Sequence, residues 1–173
     1  MHQLTSVLAI AVLALGRIAT TDATARDRRI VDMAEVGNAR SEAAHGYAGH
    51  DAILGTMDGK PYRQARGWMH FAMTTFDDTE VTVSCTFAGI DTVARSYDIV
   101  VEDSVIASRT LATQTTVPTV VDVIVPFSLT KGKTNIVIFI RARGGLTPAL
   151  RELRTIQDHY EVELSQNPHG VTR

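Results

Sequence analysis

Glu80-Val81-Thr82-Val83-Ser84-Cys85-Thr86-Phe87 alternates without a fault. Successive side chains of a strand face opposite sides, so Val81, Val83, Cys85 and Phe87 share one face of a half-buried β-strand. Ala88-Gly89-Ile90-Asp91 breaks the run, because Gly and Asp suit turn dihedrals. The alternation restarts at Arg95, with Tyr97, Ile99 and Val101 on one side and Ser96, Asp98 and Val100 on the other. Read locally, these two strands join as a central hairpin whose apolar face needs a second layer.

Working outward, the same period recurs. Residues 28–36 read as an imperfect strand of the kind found at a sheet edge. Residues 67–74 place Met69, Phe71 and Met73 on one face and Trp68, His70 and Ala72 on the other. Strands follow at 105–111 and 120–125, the latter ended by Pro126. Residues 135–141 hold an unbroken apolar run, Ile136 to Ile140, which suggests a central strand covered on both faces. A last strand spans 149–156, and the polar residues 157–173 read as a tail. No helical periodicity stands out after residue 25. About eight short strands separated by turn signals define an all-β fold: an antiparallel β-sandwich of jelly-roll, galactose-binding-like type. The sandwich is expected over residues 26–156.

Residues 1–25 read as a signal peptide. An apolar run over 4–15 is too short to span a bilayer and is followed by Ala23-Thr24-Ala25, a small-x-small cleavage pattern. The expected location is secreted or periplasmic. A net charge of −2 gives no electrostatic reason to expect nucleic acid or an anionic membrane as partner. The single cysteine rules out an internal disulfide, and Cys85 reads as a small buried hydrophobe.

Residues 37–66 look different. They show little periodicity, five glycines and many polar groups, including Glu42, His45, His50, Asp51 and Arg63. Long structureless loops inside compact domains are uncommon and often functional. No G-x-S-x-G elbow, HExxH or phosphate-binding glycine loop is present. Glu42 and His45 could serve a small hydrolase, which is the weakest reading. His45, His50 and Asp51 fit no standard zinc spacing, so no cofactor is expected; a structural calcium held by loop oxygens is the alternative.

The ordered set Val31-Asp32, Gly37-Asn38, Ser41-Glu42-x-x-His45, Tyr62-Arg63-x-Ala65, Gly67-Trp68, Gly89-x-Asp91, Arg95-Ser96-Tyr97-Asp98-Ile99 and Ile106-Ala107 carries a resemblance. It is similar to the β-sandwich substrate-binding domain C-terminal to the catalytic domain in bacterial β-L-arabinofuranosidases of glycoside hydrolase families 127 and 146. The likeness covers roughly 28–156. Family members usually carry Trp-Arg where this chain has Tyr62-Arg63. The family's catalytic domain, with its cysteine- and glutamate-bound metal, has no counterpart in this sequence, so its hydrolase activity is not carried over.

The resemblance implies a non-catalytic carbohydrate-binding module whose partners are a glycan, arabinose-containing by analogy, and a glycoside hydrolase. Sugar sites need groups that hydrogen-bond hydroxyls in fixed directions, together with an aromatic face. Glu42, His45, Arg63, Trp68 and Asp98 supply both and are the candidate binding residues. Glu42 and Arg63 are expected to form a charge-assisted pair. Trp68 is expected either to fill the core or to offer a stacking platform at the rim. The rival reading is a structural or protein-interaction module whose polar loop residues only brace the sandwich.

Overall fold

The computed structural model describes residues 27–113 and 117–159. The expected signal peptide and most of the expected tail lie outside them. The chain forms β1 (Asp27–Glu35), α1 (Ala39–Ala44), β2 (Ala48–Gly49), β3 (Ala52–Met57), β4 (Lys60–Ala65), β5 (Trp68–Thr74), β6 (Val81–Phe87) and β7 (Arg95–Val101). It continues with β8 (Ser104–Leu111), β9 (Thr119–Val125), α2 (Phe127–Thr130), β10 (Asn135–Ala142) and β11 (Leu150–His159).

Two antiparallel sheets make a sandwich of jelly-roll character. The first runs β3-β4-β11-β6-β9, with β1 also paired to β11; the second runs β2-β5-β10-β7-β8. As expected, β1 sits at an edge and β10 is central, but β10 is not covered on both faces: Ile136, Ile138 and Ile140 are buried, whereas Val137 and Phe139 are only half-buried and Arg141 is exposed. Between the sheets lies one core that holds Val83, Cys85, Tyr97, Ile99, Val123 and Ile138. Burial pushes the Cys85 thiol up to about 12, with Asp122 adding to the effect, so it packs as a hydrophobe.

The central hairpin is not one. β6 pairs with β11 and β9, whereas β7 pairs with β10 and β8, so the chain crosses from one sheet to the other between them. Both strands have one apolar face, and the two faces meet across the core rather than side by side. The rings of Phe87 and Tyr97 lie 5.2 Å apart, edge to face. Asp91 pins the crossing. Its buried carboxylate accepts from Gln64 Nε2 at 2.8 Å, Arg95 Nε at 3.0 Å and the Ala149 amide at 3.2 Å.

Residues 37–66 are not a structureless loop either. They hold α1 and three short strands, two of which form a hairpin at the edge of the first sheet. Alternation fails there because both faces are partly open: Ile53 and Leu54 are both exposed. Gly55, one of the five glycines, is a strand residue. A Cβ there would run into the Tyr62 ring opposite. The helices α1 and α2, of six and four residues, are too short to show a period. Finally, β11 runs beyond residue 156 to His159, and Gln157 is buried rather than part of a tail. Its side-chain amide bridges Phe76, accepting from the backbone N–H at 2.7 Å and donating to the carbonyl at 2.9 Å.

Candidate functional site

The five residues singled out from sequence fall into two groups. The first surrounds α1. Asn38 caps this helix, its side-chain oxygen accepting from the Arg40 and Ser41 amides, which would otherwise lack partners. The cap turns Glu42 inward, where it is 6% exposed. Both Glu42 oxygens meet Arg63 of β4, through Nε at 2.8 Å and Nη2 at 2.7 Å. The Gly37 amide donates to Glu42 Oε1 at 2.7 Å. The Arg63 guanidinium also covers the Tyr47 ring, 4.9 Å from its centre, and Tyr47 packs on Phe71 of the core. The expected Glu42–Arg63 pair therefore forms, bidentate and largely buried.

His45 does not join it. Its Nδ1 faces the Ser41 carbonyl at 2.6 Å and its Nε2 faces Asp32 Oδ1 at 3.1 Å. Both ring nitrogens therefore already face oxygens of the protein. Asp32 also accepts from the Met33 and Thr74 amides. Burial raises the Asp32 pKa, but the Thr74 and Met33 amides and His45 outweigh it and hold it below the usual carboxylate range. Glu42 and His45 thus share no hydrogen bond, and the paired geometry that a small hydrolase would need is missing. His50 faces Asp51 at 3.8 Å, and no cluster of three potential metal ligands exists among the described residues.

The second group lies on the outer face of the second sheet. Register sets Trp68 (β5), Arg141 (β10), Asp98 (β7) and Ser108 (β8) side by side across four strands. One step along, His70, Phe139 and Val100 form the next row. Trp68 is therefore not a core filler. Its ring stacks on His70 at 5.4 Å and meets the edge of Phe139 at 5.7 Å, while His70 meets Phe139 at 5.0 Å. His70 is held by the Gly46 carbonyl at 3.1 Å. Beside these rings, Asp98 accepts from Ser108 Oγ at 2.6 Å and Arg141 Nη2 at 3.1 Å, with Arg143 Nε at 3.7 Å.

Burial raises the Asp98 pKa, but the Ser108 and Arg141 hydrogen bonds and the Arg143 and Arg141 charges bring it below its ordinary value. The two guanidinium groups remain about half exposed, at 48% and 56%. A shallow depression of about 200 Å³ opens here, lined by Trp68, Phe139, Val100, Arg141, Glu102 and Asp103.

Sequence reasoning found Trp68 and Asp98 but missed His70, Phe139 and Arg141. A signal was present. If Ile136, Ile138 and Ile140 face inward, then Val137, Phe139 and Arg141 face outward, and this is the observed alternation. The continuous apolar run hid it.

The fold and this platform define a two-sheet, antiparallel β-sandwich module with two short helices. The chain belongs to a family described as "Family of unknown function (DUF6805)", whose model matches residues 25–156. No curated protein matches it. Among solved structures, it is similar to a family 35 carbohydrate binding module from an environmental isolate. Identity is 19% and the TM-score 0.54, over 75% of this chain and 98% of that one. A family 35 module from Clostridium thermocellum aligns with 16% identity and a TM-score of 0.52, over 63% and 90% of the two chains. The module CBM36, solved with calcium and xylotriose, aligns with 14% identity and a TM-score of 0.50, over 71% and 98%. At these identities the likeness speaks to the fold.

Proposed function

We propose that this protein is a non-catalytic carbohydrate-binding module and that its glycan lies on the outer face of the second sheet. One observation carries the reading: an aromatic platform, Trp68–His70–Phe139, stands in register with the Asp98–Arg141 pair on rigid strands. Ring faces suit the C–H-rich side of a sugar, and fixed carboxylate and guanidinium groups suit its hydroxyls. That the similar solved structures are named as carbohydrate-binding modules supports it.

The resemblance to the arabinofuranosidase accessory domain narrows the proposal to an arabinose-containing glycan and a glycoside hydrolase as working partner. The apolar run over 4–15 and Ala23-Thr24-Ala25 extend it to a secreted protein that begins at Arg26. N-terminal sequencing of protein exported by its native host tests that part; an intact Met1 on protein retained in the cell defeats it.

Glu42, His45 and Arg63 are assigned to the structure rather than to the ligand, since both Glu42 oxygens, both His45 ring nitrogens, and Arg63 Nε and Nη2 are already engaged within the protein. A glycan-array screen followed by arabinan titration tests the binding function. Trp68→Ala should abolish binding while leaving the fold intact. No glycan bound by the parent would favour the structural or protein-interaction module instead.

A further inference from the structure

The outer side of the first sheet carries a separate feature. The pairing of β11 with β6 is interrupted between Leu150 and Glu152, which leaves Arg151 as the extra residue of a β-bulge. Such a bulge re-aims a side chain and is found next to functional sites. Here Leu150 and Leu153 stay fully buried while Arg151 and Glu152 both line an open groove. Arg151 Nη2 donates to the Met57 carbonyl at 2.8 Å, at the tip of the β3–β4 hairpin. That hairpin turns through Asp58 and Gly59, both with positive φ, as a tight two-residue turn requires. The next residue is Lys60, which lines the same groove of about 400 Å³.

The charges in this groove are unevenly matched. Of its two carboxylates, Glu152 is ion-paired, with Oε1 2.7 Å from Arg154 Nε, and Glu35 Oε2 accepts from the neutral Asn38 Nδ2 at 2.8 Å. Neither of its two cations is ion-paired: among the described residues, neither Lys60 nor Arg151 has a carboxylate within ion-pair distance. Arg151 spends one nitrogen on a neutral carbonyl. Unpaired cations on a concave wall attract an anion, and a guanidinium holds a carboxylate especially well. Val36, Pro61 and Pro118 supply rigid apolar walls.

We propose that this groove is a second binding site, for a ring-sized carboxylate such as a sugar acid. The carboxylate would sit between Lys60 and Arg151, and the ring against Pro61 and Val36. The volume is in the range of small-molecule sites. The proposal does not rest on the glycan reading of the second sheet, because the two sites lie on different sheets.

Nuclear magnetic resonance titration of the full chain with galacturonate, and in parallel with neutral galactose, tests it. Galacturonate should shift the amides of Lys60 and Glu152, and galactose at the same concentration should not. Lys60→Gln, at an exposed position, should keep the fold and weaken galacturonate binding roughly tenfold, the size expected when one charge-assisted hydrogen bond is lost. Trp68→Ala should leave galacturonate binding unchanged. The proposal is overturned by equal shifts from both sugars, by shifts confined to the Trp68 face, by undiminished binding in Lys60→Gln, or by no shift at all.

Discussion

Glu42–Arg63 and Asp98–Arg141 are the same chemistry in two settings. Each is a carboxylate held by a guanidinium on a neighbouring element. At the first, three donors saturate the carboxylate, the Tyr47 ring lies against the guanidinium, and little of either partner reaches water. At the second, the carboxylate is enclosed, but both arginines extend into solvent beside half-buried rings. The pair type therefore does not decide the role. The first centre is largely closed to water and ties a helix to a strand; the second keeps donors in reserve. Burial separates a brace from a binding surface.

Breaking the brace should produce the largest effect. Arg63→Ala leaves Glu42 buried with a single amide donor and should cost about 3–5 kcal/mol in urea unfolding. A loss below about 1 kcal/mol would erase the distinction between the two centres. Acid should act next, and on both sides of the molecule. Asp32 and Asp98 each hold a pKa below the ordinary carboxylate value. Their contribution to stability is thus complete above the unfolded value of about 3.9 and is lost as pH falls through the folded ones. Unfolding curves between neutral pH and pH 3 should steepen in loss toward the acid end, and Asp32→Asn and Asp98→Asn should each flatten that slope.

Trp68→Ala and Arg141→Ala sharpen the comparison from the other side. Each should change stability by no more than about 1 kcal/mol, as exposed pairs and half-buried rings usually do, yet remove glycan binding. The smallest effect is expected at Arg143→Ala. It lies 3.7 Å from Asp98 and is more than half exposed, so stability should stay within about 0.5 kcal/mol by thermal melting. A larger loss there would make the second centre a brace as well.

The strands were legible where one face is buried and the other wet. β5, β6 and β7 read correctly because the core imposes a period of two on Met69-Phe71-Met73, Val81-Val83-Cys85 and their partners, whereas β10 was located but its period was masked by an unbroken apolar run. What strands pair with was not legible. The sequence pattern is the same whether β6 and β7 lie beside or across from each other, and the crossing shows only in their different partner strands. The β3–β4 edge hairpin escaped because exposure on both sides erases the period. For the site, residue type pointed to Trp68, Asp98, Glu42 and Arg63. It could not tell an enclosed pair from an open one, because that depends on Tyr47 folding over Arg63, a contact between separate elements that the local pattern does not announce.

The position of β11 has a consequence for how the molecule comes into being. Of the described strands this one is the last to leave the ribosome, yet β1, β4 and β6 all pair with it. Until it arrives, β1 and β6 have no common neighbour, and β1 must wait more than a hundred residues for its partner among the described strands. Closing contacts so far apart in sequence is entropically costly and slow. The nascent chain therefore carries unpaired strands until synthesis of the domain is nearly complete, and the first sheet assembles late around its final segment.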